Sequence, residues 1–184
     1  MLPNGWHWLE WLLWPLFALA AIGTLFLASA LVGNLIAAPF NVVLAERVEA
    51  LLTGQAPAAQ SDSVLGTVMH ALSDELIKLW YALTRALAVL AASLLLPPLG
   101  PPLWFLFAAW MLALEYSDYP LGNRGLRFRT IRAQARQHLA PSLGFGAAVA
   151  ELTALPGVNA LLMPAAVAGA TVLWVQKLAP PSAR

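Results

Sequence analysis

A group of polar residues interrupts and ends a long apolar segment near the start of the chain, and these side chains could handle an ion. Its members are Asn34, Asn41, Glu46, Arg47 and Glu49. The apolar run from Trp11 to Ala45, which ends just before Glu46, contains no Lys, Arg, Asp, Glu or His. Polar groups at membrane depth are costly, so they need a functional or structural reason. Amides and arginines can donate hydrogen bonds to an anion, whereas a carboxylate in its path must be neutralised by arginine.

The spacing of these residues matches the period of an α-helix. Asn34, Ala38, Asn41, Ala45 and Glu49 fall on one stripe that is small and polar. Two interpretations remain open at this point. The stripe is either a close-packed seam between helices, with asparagines as hydrogen-bonding partners, or the lining of a wet path.

Two more candidates lie in the last third of the chain. Glu151 is a charged residue within an apolar segment, and such residues in membrane helices often belong to functional sites. Two alternatives remain: Glu151 could lie at a shallow depth in the membrane, or it could pair with an arginine of another subunit. Asn159 follows a Pro-Gly turn and begins the final apolar arm. The free N–H groups of that helix start could bind an anion, or Asn159 could simply cap its helix.

Motifs for catalysis are lacking. The chain has no cysteine, which excludes disulfides, thiolate metal sites and thiol catalysis. His7, His70 and His138 are scattered without metal-ligand spacing, and Ser29 and Ser93 have no His or Asp near them in the sequence. The sequence therefore predicts that the protein is not an enzyme and has no cofactor or metal.

Composition indicates an integral membrane protein. The 184 residues are 60% hydrophobic and 10% charged, whereas soluble domains contain about 25% charged residues. No segment alternates polar and apolar residues as a barrel strand would, so we expect an all-α bundle. The net charge of +1 says little about partners other than the lipid bilayer.

The elements are predicted within one membrane domain spanning 1–184. A long transmembrane helix covers 4–52, and two hairpins cover 73–120 and 141–178, each divided by a Pro/Gly break. The arms have about a dozen purely apolar residues, short of the roughly 20 that cross a bilayer, so we interpret the hairpins as half-penetrating. The alternative for the first hairpin is a full span whose basic residues snorkel. Paired interrupted helices are typical of transport sites.

Two charge patterns accompany these elements. Half of the ten Lys and Arg residues fall in the segment 124–138, where Arg129, Arg132 and Arg136 have helical spacing. This predicts an amphipathic basic helix on the membrane surface, on the cytoplasmic side, and not a nucleic-acid-binding element. Glu75 and Lys78 are spaced for a surface ion pair on one helix.

Short motifs spread along nearly the whole chain resemble the CysZ family of bacterial sulfate permeases. They are APFN at 38–41 with LAERVE at 44–49, YSDYP at 116–120, LGFG at 143–146, Pro156 with Asn159, MPA at 163–165 and AGAT at 168–171. They occur in the family's order, and together they are far more specific than each is alone.

The resemblance implies sulfate transport across the bacterial inner membrane for cysteine synthesis, with sulfate-versus-sulfite selectivity left open. It implies a multi-pass protein that forms homo-oligomers, with protomers inserting in both orientations. The path of the ion would be lined by Asn34, Asn41, Glu46, Arg47, Glu49, Glu151 and Asn159. The rival hypothesis is a non-transporting assembly protein in which the polar stripe is a seam.

One family feature is not transferred. Family members are expected to carry an upstream amphipathic region and a first transmembrane helix, where a Gly-Leu-Arg motif holds sulfate, and this chain begins after that region. Gly125-Leu126-Arg127 has the same letters but falls in the basic surface helix. The resemblance therefore assigns no sulfate-binding arginine here.

Overall fold

The structure is a computed structural model that describes residues 7–55, 64–155 and 159–178. Within these ranges the side chains of 7–10, 12, 26–27, 30–36, 38, 64–71 and 159–160 are not described. The described chain is helical and contains no strand, which confirms the all-α prediction. The helices are α1 (His7–Thr53), α2 (Val64–Leu95), α3 (Gly100–Gly122), α4 (Phe128–Gln137), α5 (Leu139–Thr153) and α6 (Asn159–Leu173).

The chain divides into two compact units, residues 1–40 and residues 41–184. In the first unit, the described part of α1 carries exposed aromatic side chains, and the rings of Trp14 and Phe17 pack edge to face at 6.3 Å. The second unit contains the last turns of α1 and all the later helices.

Proline placement divides α2 from α3. Pro97 and Pro98 lie in a single 3₁₀ turn, Pro97–Leu99, because proline has no N–H to continue the hydrogen bonding of α2. Pro101 and Pro102 lie in the first turn of α3. Backbone N–H groups in a first turn have no acceptor within the helix, so a proline there removes no helical hydrogen bond. The stretches Leu72–Leu95 and Pro97–Gly122 are each long and apolar enough to cross a membrane. Length therefore does not distinguish a half-penetrating hairpin from two spans, and the hairpin stays a prediction.

Helix α3 is central in the second unit, with α2, α4, α5 and α6 packed around it. The approach of α5 is so close that a Cβ added at Gly146 would lie 1.8 Å from the carbonyl oxygen of Ala109. Helix α4 packs through Phe128, Ile131 and Ala135, which are buried, and it exposes Arg129 and Arg136. It is thus amphipathic, while its contact with a membrane surface stays a prediction.

The last two helices complete the bundle. The predicted turn at 156–158 lies outside the described residues. Helix α6 continues into a single π-helical turn, Trp174–Leu178, and Leu161–Leu178 is long enough to span a membrane. Helix α5 is apolar but shorter. Trp174 and Leu178 join Leu121 and Ile131 in one buried apolar cluster.

Candidate functional site

The last turns of α1, which belong to the second unit, carry a buried polar stripe. Asn41 is 5% exposed, and Ala45 and Glu49 are fully buried. Residues four apart lie on one helix face, so these three side chains point in the same direction. Farther up the predicted stripe, the side chains of Asn34 and Ala38 lie outside the described residues.

The carboxylate of Glu49 is neutralised by an arginine from the turn between α3 and α4. The Arg124 Nε donates a hydrogen bond to Glu49 Oε1 at 2.7 Å, and a second guanidinium nitrogen contacts the same oxygen. The Arg124 guanidinium also lies over the Trp174 ring, 5.8 Å from its centroid. A buried unpaired carboxylate is strongly disfavoured, and this arginine supplies Glu49 with a compensating charge inside the protein.

The turn that carries Arg124 is fixed at two points. Asn123 Nδ2 donates to the carbonyl oxygen of Val42 at 3.1 Å, which ties the turn to α1. Gly125 has φ of +72°, a conformation that residues with a Cβ rarely adopt. The turn therefore positions the guanidinium by backbone geometry as well as by its contacts.

Some buried polar atoms around this pair make no hydrogen bond of normal geometry within the described part of the chain. Asn41 Nδ2 lies beside the Tyr119 side chain without a hydrogen bond of normal geometry, and Trp174 Nε1 and Glu49 Oε2 also make none among the described residues. Buried polar atoms usually have partners, and each that lacks one costs about 1–3 kcal/mol. Two of the three are N–H donors, the type of group that binds an oxyanion.

Only part of the predicted ion path is assembled here. Among the described side chains, the cluster brings Asn41 and Glu49 together, whereas Glu46 and Arg47 are exposed and make no described ion pair. The neutralising arginine is therefore Arg124.

The remaining candidates lie elsewhere or are not described. Glu151 is exposed on α5 and forms no ion pair with another described residue. Asn159 begins α6, but its side chain, like that of Asn34, lies outside the described residues. Their roles in an ion path stay predictions.

Lys78 lies at the centre of a second polar cluster, of which helical spacing predicts only the contact with Glu75. Its Nζ is 3.3 Å from a Glu75 oxygen, 3.2 Å from Glu115 and 2.7 Å from Asp118. The predicted pair with Glu75 is present, but Lys78 is buried and not on the surface. The reason is that α3 packs over this face of α2 and supplies two further carboxylates.

The arginine of Gly125-Leu126-Arg127 also has protein partners. Arg127 Nε donates to Asp74 Oδ2 at 2.7 Å, and its Nη2 donates to Ser73 Oγ at 2.8 Å. The hydrogen bond to Asp74 raises the pKa of Arg127. This side chain links the start of α4 to α2.

Comparison with known proteins gives consistent results over nearly the whole chain. A model of the protein family described as "Sulfate transporter CysZ/Etoposide-induced protein 2.4" matches residues 1–164. A protein named "Sulfate transporter CysZ" from Pectobacterium atrosepticum is 42% identical over 181 residues, covering 96% of this chain and 66% of that protein. Proteins of the same name from Vibrio parahaemolyticus and Vibrio cholerae are 41% identical, covering 95% and 96% of this chain and 72% of each relative. The chain thus spans about two thirds of the length of its curated relatives.

Proposed function

Because the chain belongs to the family described as Sulfate transporter CysZ/Etoposide-induced protein 2.4, we propose that it carries sulfate across the bacterial inner membrane for cysteine synthesis. It is an all-α, multi-pass protein of that membrane. We propose a channel-like permease that works without catalysis, and a homo-oligomer whose protomers insert in both orientations. Sulfite, a smaller oxyanion, is the second candidate substrate.

The observation that carries this proposal is the buried cluster around Glu49 and Arg124. A divalent anion that leaves water needs N–H donors and must not meet a bare carboxylate. Arg124 compensates the Glu49 carboxylate through Oε1. Trp174 Nε1 is a buried donor without a described partner, and the Asn41 amide beside the Tyr119 side chain is the second donor. We propose that sulfate passes against these donors and the outer edge of the Arg124 guanidinium, whose side chain is 30% exposed.

The rival function is an assembly role, in which the same stripe joins helices and moves no ion. The exposed apolar side chains favour contacts with lipid or with further copies of the chain, for example Leu51 and Leu161. Flux measurements separate the two functions, because the N–H donors must contact the anion in a permease but need not do so in an assembly protein.

The test is uptake of radiolabelled sulfate into proteoliposomes that contain the full chain. Arg124→Gln should lower flux about tenfold or more, since a hydrogen bond to a charged group contributes about 1.5–3 kcal/mol. The double variant Glu49→Gln with Arg124→Gln removes the buried charge left unpaired in the single variant. It should recover thermal stability but not flux if Arg124 faces the anion.

Two further variants complete this experiment. Asn41→Ala should lower flux several-fold, and Arg129→Gln, an exposed arginine on α4, should leave it within about twofold. Recovery of flux in the double variant would make Arg124 a purely structural partner of Glu49. Unchanged flux in all variants, with an altered oligomer on size exclusion, would establish the assembly role instead.

A further inference from the structure

An apolar groove runs between α2 and α3 on the outside of the bundle. Its volume is about 360 Å³, within the lower range of small-molecule sites. Both helices contribute to its walls, which include Ala88, Val89, Ala92, Leu103, Leu106 and Phe107. Both helices are long and apolar enough to lie in a membrane, so the groove would face lipid.

Two arginines contact one tyrosine ring, Tyr81, which lines the groove together with one of them, Arg85. The Arg85 guanidinium carbon is 5.4 Å from the centroid of the Tyr81 ring, and that of Arg132, on α4, is 4.9 Å from the same centroid. The ring itself is held by Trp110, whose Nε1 donates to the Tyr81 hydroxyl at 2.9 Å, and by edge contact with Phe128. The aromatic face attracts both cations and so gathers them beside the ring.

These two cations have no compensating carboxylate in the part of the chain that the structure describes. The acidic residues nearest in sequence are engaged elsewhere: Glu75, Glu115 and Asp118 contact Lys78, and Asp74 contacts Arg127. Two like charges held against the same ring repel each other, and an anion that accepts hydrogen bonds from both arginines would lower that repulsion. The planar donor forks of arginine fit phosphate oxygens especially well.

The position of the arginines along α2 suits a lipid headgroup. From Arg85 to the break at Leu96 the helix is about 16 Å long at 1.5 Å per residue, close to half of the roughly 30 Å hydrocarbon core. A hairpin that reaches the middle of the bilayer would therefore hold Arg85 at headgroup depth. The groove lies between that level and the hairpin turn, where acyl chains lie.

We propose that this groove is a binding site for an anionic phospholipid. Arg85 and Arg132 bind the phosphate, and one acyl chain lies along the small side chains of α2 against α3. The lipid would thereby join α2, α3 and α4. This inference is independent of sulfate transport, since it concerns another face and other arginines.

Photocrosslinking to the full chain in nanodiscs tests the site directly. The probe is phosphatidylglycerol with a diazirine on its acyl chain, and the matched probe is phosphatidylcholine with the same chain. We expect phosphatidylglycerol to label the α2 and α3 segments that line the groove, and phosphatidylcholine to label them about tenfold less, a difference of about 1.4 kcal/mol. Equal labelling by both lipids would overturn the role of the arginines.

Two pairs of variants make the test specific. Arg85→Gln with Arg132→Gln should reduce labelling by phosphatidylglycerol about tenfold. Arg129→Gln with Arg136→Gln removes the same charge from exposed positions and should change it less than about twofold. An equal loss in both pairs would mean general attraction to a basic surface and would overturn the proposal.

A third variant separates a lipid from a free oxyanion. Ala92→Trp fills the groove two helical turns beyond Arg85 and should abolish labelling, while inorganic phosphate in excess should compete weakly. If phosphate displaces the lipid fully and Ala92→Trp has no effect, the arginine pair binds a free oxyanion and the lipid assignment is wrong.

Discussion

Lys78 joins α2 to α3 through charge. Its ammonium group is buried, whereas its three carboxylate partners are partly exposed, with Asp118 the nearest at 2.7 Å. The three carboxylates stay partly hydrated, and they compensate the Lys78 ammonium group, which is buried away from water. A buried ion destabilises a protein strongly when it loses all its partners, but Lys78 keeps two carboxylates when one is removed. Substitution of Lys78 should therefore lower stability more than substitution of any one of its acidic partners.

We expect Lys78→Gln to destabilise the protein by about 1–3 kcal/mol, because three carboxylates then face one another without a cation. Glu75→Gln removes one exposed partner and should cost less than about 1 kcal/mol. Thermal unfolding in detergent, followed by tryptophan fluorescence, measures both. A larger loss for Glu75→Gln than for Lys78→Gln would contradict this account.

The sequence shows at this scale which residues are conspicuous but not which ones meet. Asn41 and Glu49 stand out because their surroundings are apolar. Arg124 does not, because it lies 75 positions from Glu49 and only the fold brings them together. Arg47 is the nearer candidate along the chain, but two residues of helix turn it about 160° away from Glu49.

At the scale of elements, α3 and α5 approach each other at a glycine. An added Cβ at Gly146 would meet the Ala109 carbonyl oxygen at 1.8 Å and the Ala113 Cβ at 3.1 Å, so the backbone of α3 would have to move. Small residues at such crossings allow membrane helices to pack closely. Nothing lies within 4 Å of the corresponding position at Gly144, on the same helix.

The different surroundings of Gly146 and Gly144 predict opposite effects of a glycine-to-alanine substitution at the two positions. Gly146→Ala should destabilise by about 1–3 kcal/mol because it overpacks the α3–α5 contact. Gly144→Ala should be neutral or stabilising by up to about 1 kcal/mol, since alanine favours a helix. The melting temperatures of the two variants in the same detergent provide the measurement, and equal values would show that the helices separate readily.

Proline and glycine positions predict where the helices break, and charge predicts the amphipathic α4. The structure adds two things at this scale. The sequence places the start of the second helix near Asp62 or near Ser73, and α2 begins at Val64, close to the first of these, because the apolar residues after 63 continue the helix. Gly146 could not be chosen over Gly144 in advance, since glycines in one apolar segment look alike until a neighbour is known.

For the whole molecule, the depth of the first hairpin can be measured by the accessibility of single cysteines. The chain has no cysteine, so single cysteines report accessibility without background. We expect Leu99→Cys, at the hairpin turn, to resist an impermeant maleimide from both sides of the membrane. Gln55→Cys and Arg129→Cys, both exposed, should react.

The pattern of labelling also reports orientation. Reaction of Leu99→Cys only from the side opposite to Arg129→Cys would establish two full spans in place of the half-penetrating hairpin. Partial labelling of Arg129→Cys from each side would show that protomers insert both ways. The sequence favours half-penetration from apolar length alone, and the lengths of α2 and α3 permit either arrangement.

The short turn between α3 and α4 has a consequence for evolution of the chain. Its first two residues, Asn123 and Arg124, form hydrogen bonds to Val42 and Glu49 of α1. Its last residue, Arg127, forms a hydrogen bond to Asp74 of α2. An inserted or deleted residue there would shift one set of attachments out of register with the other. The length of this turn should therefore be as constrained as its composition, unlike that of an ordinary surface loop.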